Sequence, residues 1–274
     1  MYKLIALDMD GTLLNDEKQI STANFNAIQQ ARKNGVKVVL ASGRPLVGIK
    51  RYLKELNLIS KDEYAVAFNG ALVQSSEGTE VISRTTLTVE DFKSLYKLSK
   101  ELKVNIHALT ESKVITPKDN KYSRLESELN HIPIEIIEME DVAENTTIVK
   151  VMFIDTPELI DEIIQMIPEA VSSKYTILRS APFFLEFLHK TVNKGAGVVA
   201  LAEKLNIKQE EIICIGDAGN DIHMIKYAGL GVAMGNAFPE VKKAANFITK
   251  TNEQDGVAYI INKFILNSQE AFVV

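Results

Sequence analysis

The chain has one cysteine, Cys214, which excludes a disulfide framework and a cysteine-based zinc site. Histidine is nearly as sparse. Of the four, His107, His131 and His189 show no metal-like spacing, and His223 reads as a structural or surface residue. No apolar run approaches the roughly 20 residues of a membrane-spanning helix. The opening stretch, Met1-Tyr2-Lys3-Leu4-Ile5-Ala6-Leu7-Asp8, is too short in apolar residues for a secretory segment, so a cytoplasmic location is the expectation. Neither sign of charge dominates: 31 basic residues stand against 36 acidic ones, a net charge of −5. That balance argues against nucleic acid or another polyanion as the main partner. It leaves room for one small phosphorylated ligand, which needs only local positive groups. No repeat and no low-complexity linker interrupts the sequence.

What is present is an ordinary packed composition, 46% hydrophobic and 24% charged over 274 residues. That length suits one large domain or two modest ones. Both ends alternate short apolar runs with helical spacing. Strands are expected at 3–7, 36–41 and 64–68, and helices at 21–33, capped by Ser21, and 46–58. Residues 71–73 and 81–83 flank a hairpin signal, Ser75-Ser76-Glu77-Gly78. The rhythm resumes with a helix from Asn193 to about 205, a strand at 211–215 and further short helices and strands to a last helix at 253–266. Strands alternating with helices imply right-handed crossovers and a parallel sheet. The middle differs. Between 84 and 186 the spacing predicts helices at 88–102, 120–130 and 157–166, and strands near 104–109, 113–117, 134–138, 147–154 and 175–179. That pattern suits an α+β unit with an antiparallel sheet. The expected architecture is an α/β core from residues 1–83 and 187–274, with 84–186 inserted as a second domain.

Three apolar strands run into polar segments: Asp8-Met9-Asp10-Gly11-Thr12, Ser42-Gly43-Arg44-Pro45, and Gly216-Asp217-Ala218-Gly219-Asn220-Asp221. Open parallel sheets bind ligands beyond the carboxyl ends of their strands, so if these strands are neighbours their tips share one site. Asp8 and Asp10 are two apart and, in extended geometry, point the same way. Their repulsion calls for a divalent cation or one raised pKa. With Asp217 and Asp221 the donors are hard oxygens without His or Cys, which favours magnesium over zinc. Ser42 offers a hydroxyl to phosphate oxygens. Lys194, at the start of a helix, can meet an anion or hold Asp8 ionised. Read alone, Ser42-Gly43-Arg44-Pro45 is a capped strand-to-helix turn, Lys194 a solvated lysine and Asp221 a helix cap. The chemical reading rests on their joint occurrence. Cys214 reads as a small core residue.

The segments D-M-D-G-T-L at 8–13, S-G-R-P at 42–45, Lys194 and G-D-A-G-N-D at 216–221 together resemble the haloacid-dehalogenase superfamily of phosphotransferases. With F-N-G-A at 68–71, S-A-P-F-F-L-E at 180–186, V-N-K-G at 192–195 and D-G-V-A at 255–258, the chain is similar to the Cof-type sugar-phosphate phosphatases with a large inserted cap. The resemblance implies a Rossmann-like core and an α+β cap. It implies that Asp8 is the nucleophile, forming an aspartyl-phosphate, and Asp10 the general acid and base. Mg²⁺ would be held by Asp8, the Asp10 backbone carbonyl and Asp217, with Asp221 supporting metal or water. Ser42, Lys194 and Asn220 would hold the phosphoryl group, with backbone N–H groups from Met9 and Gly43.

The expected activity is hydrolysis of a small phosphorylated metabolite, a sugar phosphate by preference, with no nucleic-acid or membrane partner. Two alternatives are a phosphomutase and a non-catalytic metabolite-binding regulator. The set Asp8, Asp10, Lys194 and Asp217 speaks against the regulator, since a binder needs neither nucleophile nor acid. A lysine Schiff-base phosphonate cleavage lacks an identifiable lysine. The insertion reads as a lid that excludes water and sets specificity, with Asn69, His107, Glu111, Lys113 and residues 179–182 as candidates.

Overall fold

The computed structural model describes residues 1–266. The chain forms two compact units, one from Met1–Ser83 together with the segment from Asn193 onward, the other from Arg84–Val192.

The first unit begins β1 (Leu4–Leu7), α1 (Thr22–Lys33), β2 (Lys37–Ala41), α2 (Leu46–Glu55), β3 (Tyr64–Ala67), β4 (Leu72–Ser75) and β5 (Val81–Arg84). The second unit contributes α3 (Val89–Glu101), β6 (Asn105–Leu109), β7 (Val114–Thr116), α4 (Lys121–Asn130), β8 (Ile134–Ile136), β9 (Lys150–Ile154), α5 (Pro157–Met166), α6 (Glu169–Lys174), β10 (Tyr175–Ala181) and β11 (Phe184–His189). The first unit then resumes with α7 (Lys194–Leu205), β12 (Ile212–Gly216), α8 (Ile222–Tyr227), β13 (Leu230–Ala233), α9 (Pro239–Ala244), β14 (Phe247–Ile248) and α10 (Gly256–Ile261). The last helical segment, expected to run unbroken over 253–266, is a 3₁₀ turn, then α10, then a wider turn over Asn262–Leu266.

The first sheet has the order β14-β13-β12-β1-β2-β3-β4-β5. Its pairs from β14 to β3 are parallel, and β4 reverses against β3. All four residues of β1 are buried: Leu4 and Ala6 pack with Val198 and Leu201 of α7 and with Met224 of α8, while Ile5 and Leu7 are equally closed on the opposite face. Burial on both faces is why these strands read as unbroken apolar runs rather than alternating ones. Cys214 is among these core residues. Both expected caps are formed, Ser21 on α1 and Asn193 on α7, each accepting a backbone N–H of the first turn.

The second unit carries a sheet of order β10-β11-β9-β6-β7-β8. The antiparallel sheet expected there holds for most pairs, but β7 and β8 are parallel, joined by the α4 crossover. One face packs Ile106, Ala108, Val151, Phe153, Leu185 and Phe187 under α3 and α5. The other face meets α4 through polar groups: His107 Nδ1 pairs with Ser123 Oγ at 2.9 Å, and Lys150 Nζ lies 3.4 Å from Glu126 and 2.8 Å from Glu186. The return to the first unit falls at Asn193 rather than 187, because β11 continues to His189 and a boundary at 186 would cut it.

Candidate active site

The strand order puts β12, β1 and β2 side by side, so the segments beginning at Asp217, Asp8 and Ser42 leave one edge of the sheet together. Beyond Leu7 the chain folds at once into a turn, with Leu13 N–H donating to the Asp8 carbonyl and Leu14 N–H to the Met9 carbonyl. Gly11 makes that turn possible. Its φ is +83°, and a Cβ there would meet the Asp217 carboxylate at 2.5 Å. Thr12 Oγ1 donates to Asp217 Oδ1 at 2.8 Å, binding the two loops to each other.

Lys194 is the first residue of α7 and is completely buried. Its Nζ donates to Asp8 Oδ1 and, at 2.7 Å, to Asp221 Oδ1. Asp221 Oδ2 accepts the backbone N–H groups of Asp217 and Ala218, each at 3.0 Å. One carboxylate thus fixes the lysine and the turn that carries Asp217. Oxygens of Asp8, Asp217 and Asp221 lie within 4.8 Å of one another. Three carboxylates and one ammonium leave a formal charge of −2. An oxygen-only donor set with that deficit fits a hard divalent cation. Burial, then the neighbouring Asp221 charge, pushes the Asp8 carboxyl well up, with Lys194 opposing. Asp217 is also raised, by burial foremost. Lys194 is held up: burial works against its charge, but Asp221 and Asp8 outweigh it.

Asp10 does not join this group. The expectation that it points with Asp8 assumed extended chain, whereas β1 ends at Leu7 and Asp10 lies within the turn. Its carboxylate takes Arg44 Nε at 3.1 Å and Nη2 at 2.9 Å, and Lys18 Nζ at 2.9 Å. Burial raises its pKa, but Arg44 and Lys18 prevail and hold it below the usual carboxylate range. Asp221, named as a metal residue from sequence, has both oxygens engaged as above. It anchors Lys194 and also lies in the acidic cluster with Asp8 and Asp217 whose oxygens could hold a cation.

Ser42 is buried, and its Oγ accepts the Arg44 N–H at 3.2 Å. Asn220 Nδ2 donates to Asn69 Oδ1 at 2.9 Å, and Gly43 lies against the same asparagine. Met9 is fully buried. Sequence reasoning missed Arg44, Lys18 and Thr12 as partners of the acidic residues. Their pairing depends on how the loops meet, and no spacing announces it. Of the specificity candidates, His107 is interior to the second unit, Glu111 pairs with Arg84, Lys113 with Glu135 and Arg179 with Asp161.

The chain resembles known proteins over nearly its whole length. The model of the haloacid dehalogenase-like hydrolase family matches residues 5–261. YxeH of Bacillus subtilis (strain 168), provisionally named a phosphatase, is 48% identical over 268 residues, covering 97% of this chain and 99% of its own. The 5-amino-6-(5-phospho-D-ribitylamino)uracil phosphatase YcsE of the same organism is 33% identical over 264 residues, 96% of either chain. A solved structure described as a sugar phosphatase of HAD subclass IIB superposes with a TM-score of 0.79 at 28% identity, covering 96% of this chain and 98% of that one. No helix among the described residues is long and apolar enough to cross a membrane.

Proposed function

The chain belongs to the haloacid dehalogenase-like hydrolases and is a phosphatase, and from that premise we propose that it hydrolyses phosphate monoesters of small metabolites, sugar phosphates foremost, with magnesium and through an aspartyl-phosphate on Asp8. The observation that carries the reading is the buried lysine bridge, Lys194 Nζ between Asp8 and Asp221 with the Asp217 carboxylate beside them. Such a cluster is costly to bury and has no structural necessity in a sheet already packed on both faces. Phosphoryl transfer needs what it supplies, positioning and concentrated charge, more than elaborate covalent machinery.

Family members use a divalent metal. Here Asp8, Asp217 and the Asp10 backbone carbonyl would hold Mg²⁺, which would neutralise charge on the phosphoryl oxygens and on Asp8. The remaining work falls to the chain's own groups. Lys194 counters the burial that drives Asp8 toward its protonated, unreactive form, and keeps an oxygen of Asp8 available for in-line attack on phosphorus. The bond to the leaving oxygen breaks as Asp10, held ionised by Arg44 and Lys18, passes to it the proton that the monoanionic ester brings in. Asp10 then takes a proton from the water that opens the acyl phosphate, returning Asp8 and free phosphate. Arg44 and Lys18 fix the Asp10 carboxylate for both transfers. Ser42, Asn220 and the N–H groups of Met9 and Gly43 surround the phosphoryl oxygens. The inserted unit, Arg84–Val192, is read as the part that selects the substrate's other end. Sugar phosphates lead because a structural neighbour is described as a sugar phosphatase and a curated relative acts on a phosphorylated ribityl chain.

The test is phosphate release from a panel of sugar phosphates and from p-nitrophenyl phosphate, with magnesium or EDTA. Asp8→Asn is expected to lose at least about a thousandfold in kcat. Retention of wild-type turnover by that variant, or full activity in EDTA, would remove Asp8 or the metal from the reading.

A further inference from the structure

Between β3 and β4 three consecutive residues adopt left-handed backbone: Phe68 at φ 49°, Asn69 at φ 56° and Gly70 at φ 94°. Gly70 tolerates this, and any side chain there would strike the Asn193 carbonyl. Phe68 and Asn69 do not adopt it freely, and both are buried. Strain of this kind persists where the surroundings over-determine it, and it collects at functional positions. The contacts show what the strain achieves. Phe68 N–H donates to the Arg44 carbonyl at 3.0 Å and Asn69 N–H to the Ser42 carbonyl at 2.9 Å, so the turn is stitched to the loop after β2. The Asn69 side chain then lies across Gly43, where a Cβ would meet its Nδ2 at 3.1 Å and its Oδ1 at 3.3 Å. Its Oδ1 accepts Asn220 Nδ2 from the loop after β12. Its own Nδ2 donates to no group among the described residues.

We propose that Asn69 is a positioning residue of the phosphoryl site: one side chain, held by strained backbone, sets the Ser42–Gly43 turn and Asn220 at the spacing a single tetrahedral oxyanion requires. Among the described residues no direct hydrogen bond joins the two partner loops, so the amide is the tie between them. The side chain serves both loops from a residue that tolerates positive φ: its Oδ1 accepts from Asn220 in one, and its planar amide packs against Gly43 in the other. The proposal rests on the phosphatase reading of Ser42 and Asn220, and its test separates the two.

The variant Asn69→Gly keeps the left-handed backbone and removes only the amide. With p-nitrophenyl phosphate as substrate and inorganic phosphate as competitive inhibitor, kcat/KM should fall about tenfold to a hundredfold and phosphate binding should weaken alongside it. The melting temperature should stay within about 3 °C of wild type. Asn220→Ala, which leaves Asn69 in place, should lose a similar factor. The double variant should lose no more than the worse single one, since the two residues act as a unit. Wild-type kcat/KM in Asn69→Gly would overturn the proposal and leave Asn69 a backbone device. So would losses that multiply in the double variant, or a large fall in melting temperature with activity per folded molecule intact. If Asp8→Asn is inactive while Asn69→Gly is unimpaired, the phosphatase reading stands and this inference alone fails.

Discussion

Replacing Lys194 by methionine tests the site's electrostatics most directly. Nζ is fully buried and engages Asp8 and Asp221, whose side chains are 9% and 0% exposed. At the 2.7 Å of the Asp221 contact and an effective dielectric of about 20, each attraction is worth roughly 6 kcal/mol before desolvation is subtracted. Desolvation cancels much of it, yet removing one partner leaves the other charges buried without compensation, which costs about 3–5 kcal/mol. Methionine fills nearly the same volume, so little of the loss comes from a cavity. At about 2–4 °C per kcal/mol the first unit should melt some 6–20 °C lower. Differential scanning calorimetry in EDTA measures this, and millimolar magnesium should restore part of it, since a divalent cation answers the same charge excess. Turnover should fall by at least about a hundredfold. Lys204→Met, whose pairing with Glu80 is on the surface, is the control and should not shift the transition measurably. A Lys194→Met protein that melts with wild type in EDTA would refute the argument, because the lysine would then be neutralising nothing.

His107 makes the second unit acid-sensitive. Burial, aided by the Lys150 charge, lowers its pKa from 6.5 to about 3. Between those values the unfolded chain binds a proton that the native state refuses, so stability is full above about pH 6.5 and falls by roughly 1.4 kcal/mol per pH unit below it. His107→Gln should flatten the melting-temperature profile between pH 4.5 and 6.5, and an unchanged slope would contradict the assignment. Arg44→Met should free the Asp10 carboxylate and cost an alkyl phosphate about a hundredfold in kcat while sparing p-nitrophenyl phosphate, whose leaving group needs no acid. Equal losses on both substrates would show that Arg44 does not act through Asp10.

The elements that position the site were legible because their signals are local. Runs such as Leu4–Leu7 and Ile212–Gly216 are apolar on both faces and end in Asp- and Gly-rich turns. Ser21 and Asn193 announce their helices by side-chain chemistry alone. Strand β11 escaped notice because Glu186 occupies a buried position in an otherwise apolar Phe184–His189. A carboxylate there makes sense only once Lys150, 36 positions away, is known to face it. The short α6, Glu169–Lys174, buries no residue and so has no apolar stripe to betray it. Asp10 illustrates the remaining difficulty. Its residue type was informative, but its direction depended on where β1 stopped, which the sequence marks only to within a residue or two. Arg44, Lys18 and Asn69 meet their partners through loop geometry that no periodicity encodes.

Strands β1 and β12 lie together at the heart of the first sheet, and Thr12 and Asp217, bonded across their ends, are 205 positions apart in the chain. At 5–20 residues per second a ribosome needs roughly 10–40 s to travel that distance. Throughout that interval β1 lacks one of its two neighbours, and its edge is open to other nascent chains. Of the residues translated in between, Arg84–Val192 form a compact unit of their own and can collapse without waiting. The insertion therefore supplies about half of the delay before the first unit can close, and lengthening or slowing its translation should show first as aggregation of unfinished chains rather than as loss of catalytic power in finished ones.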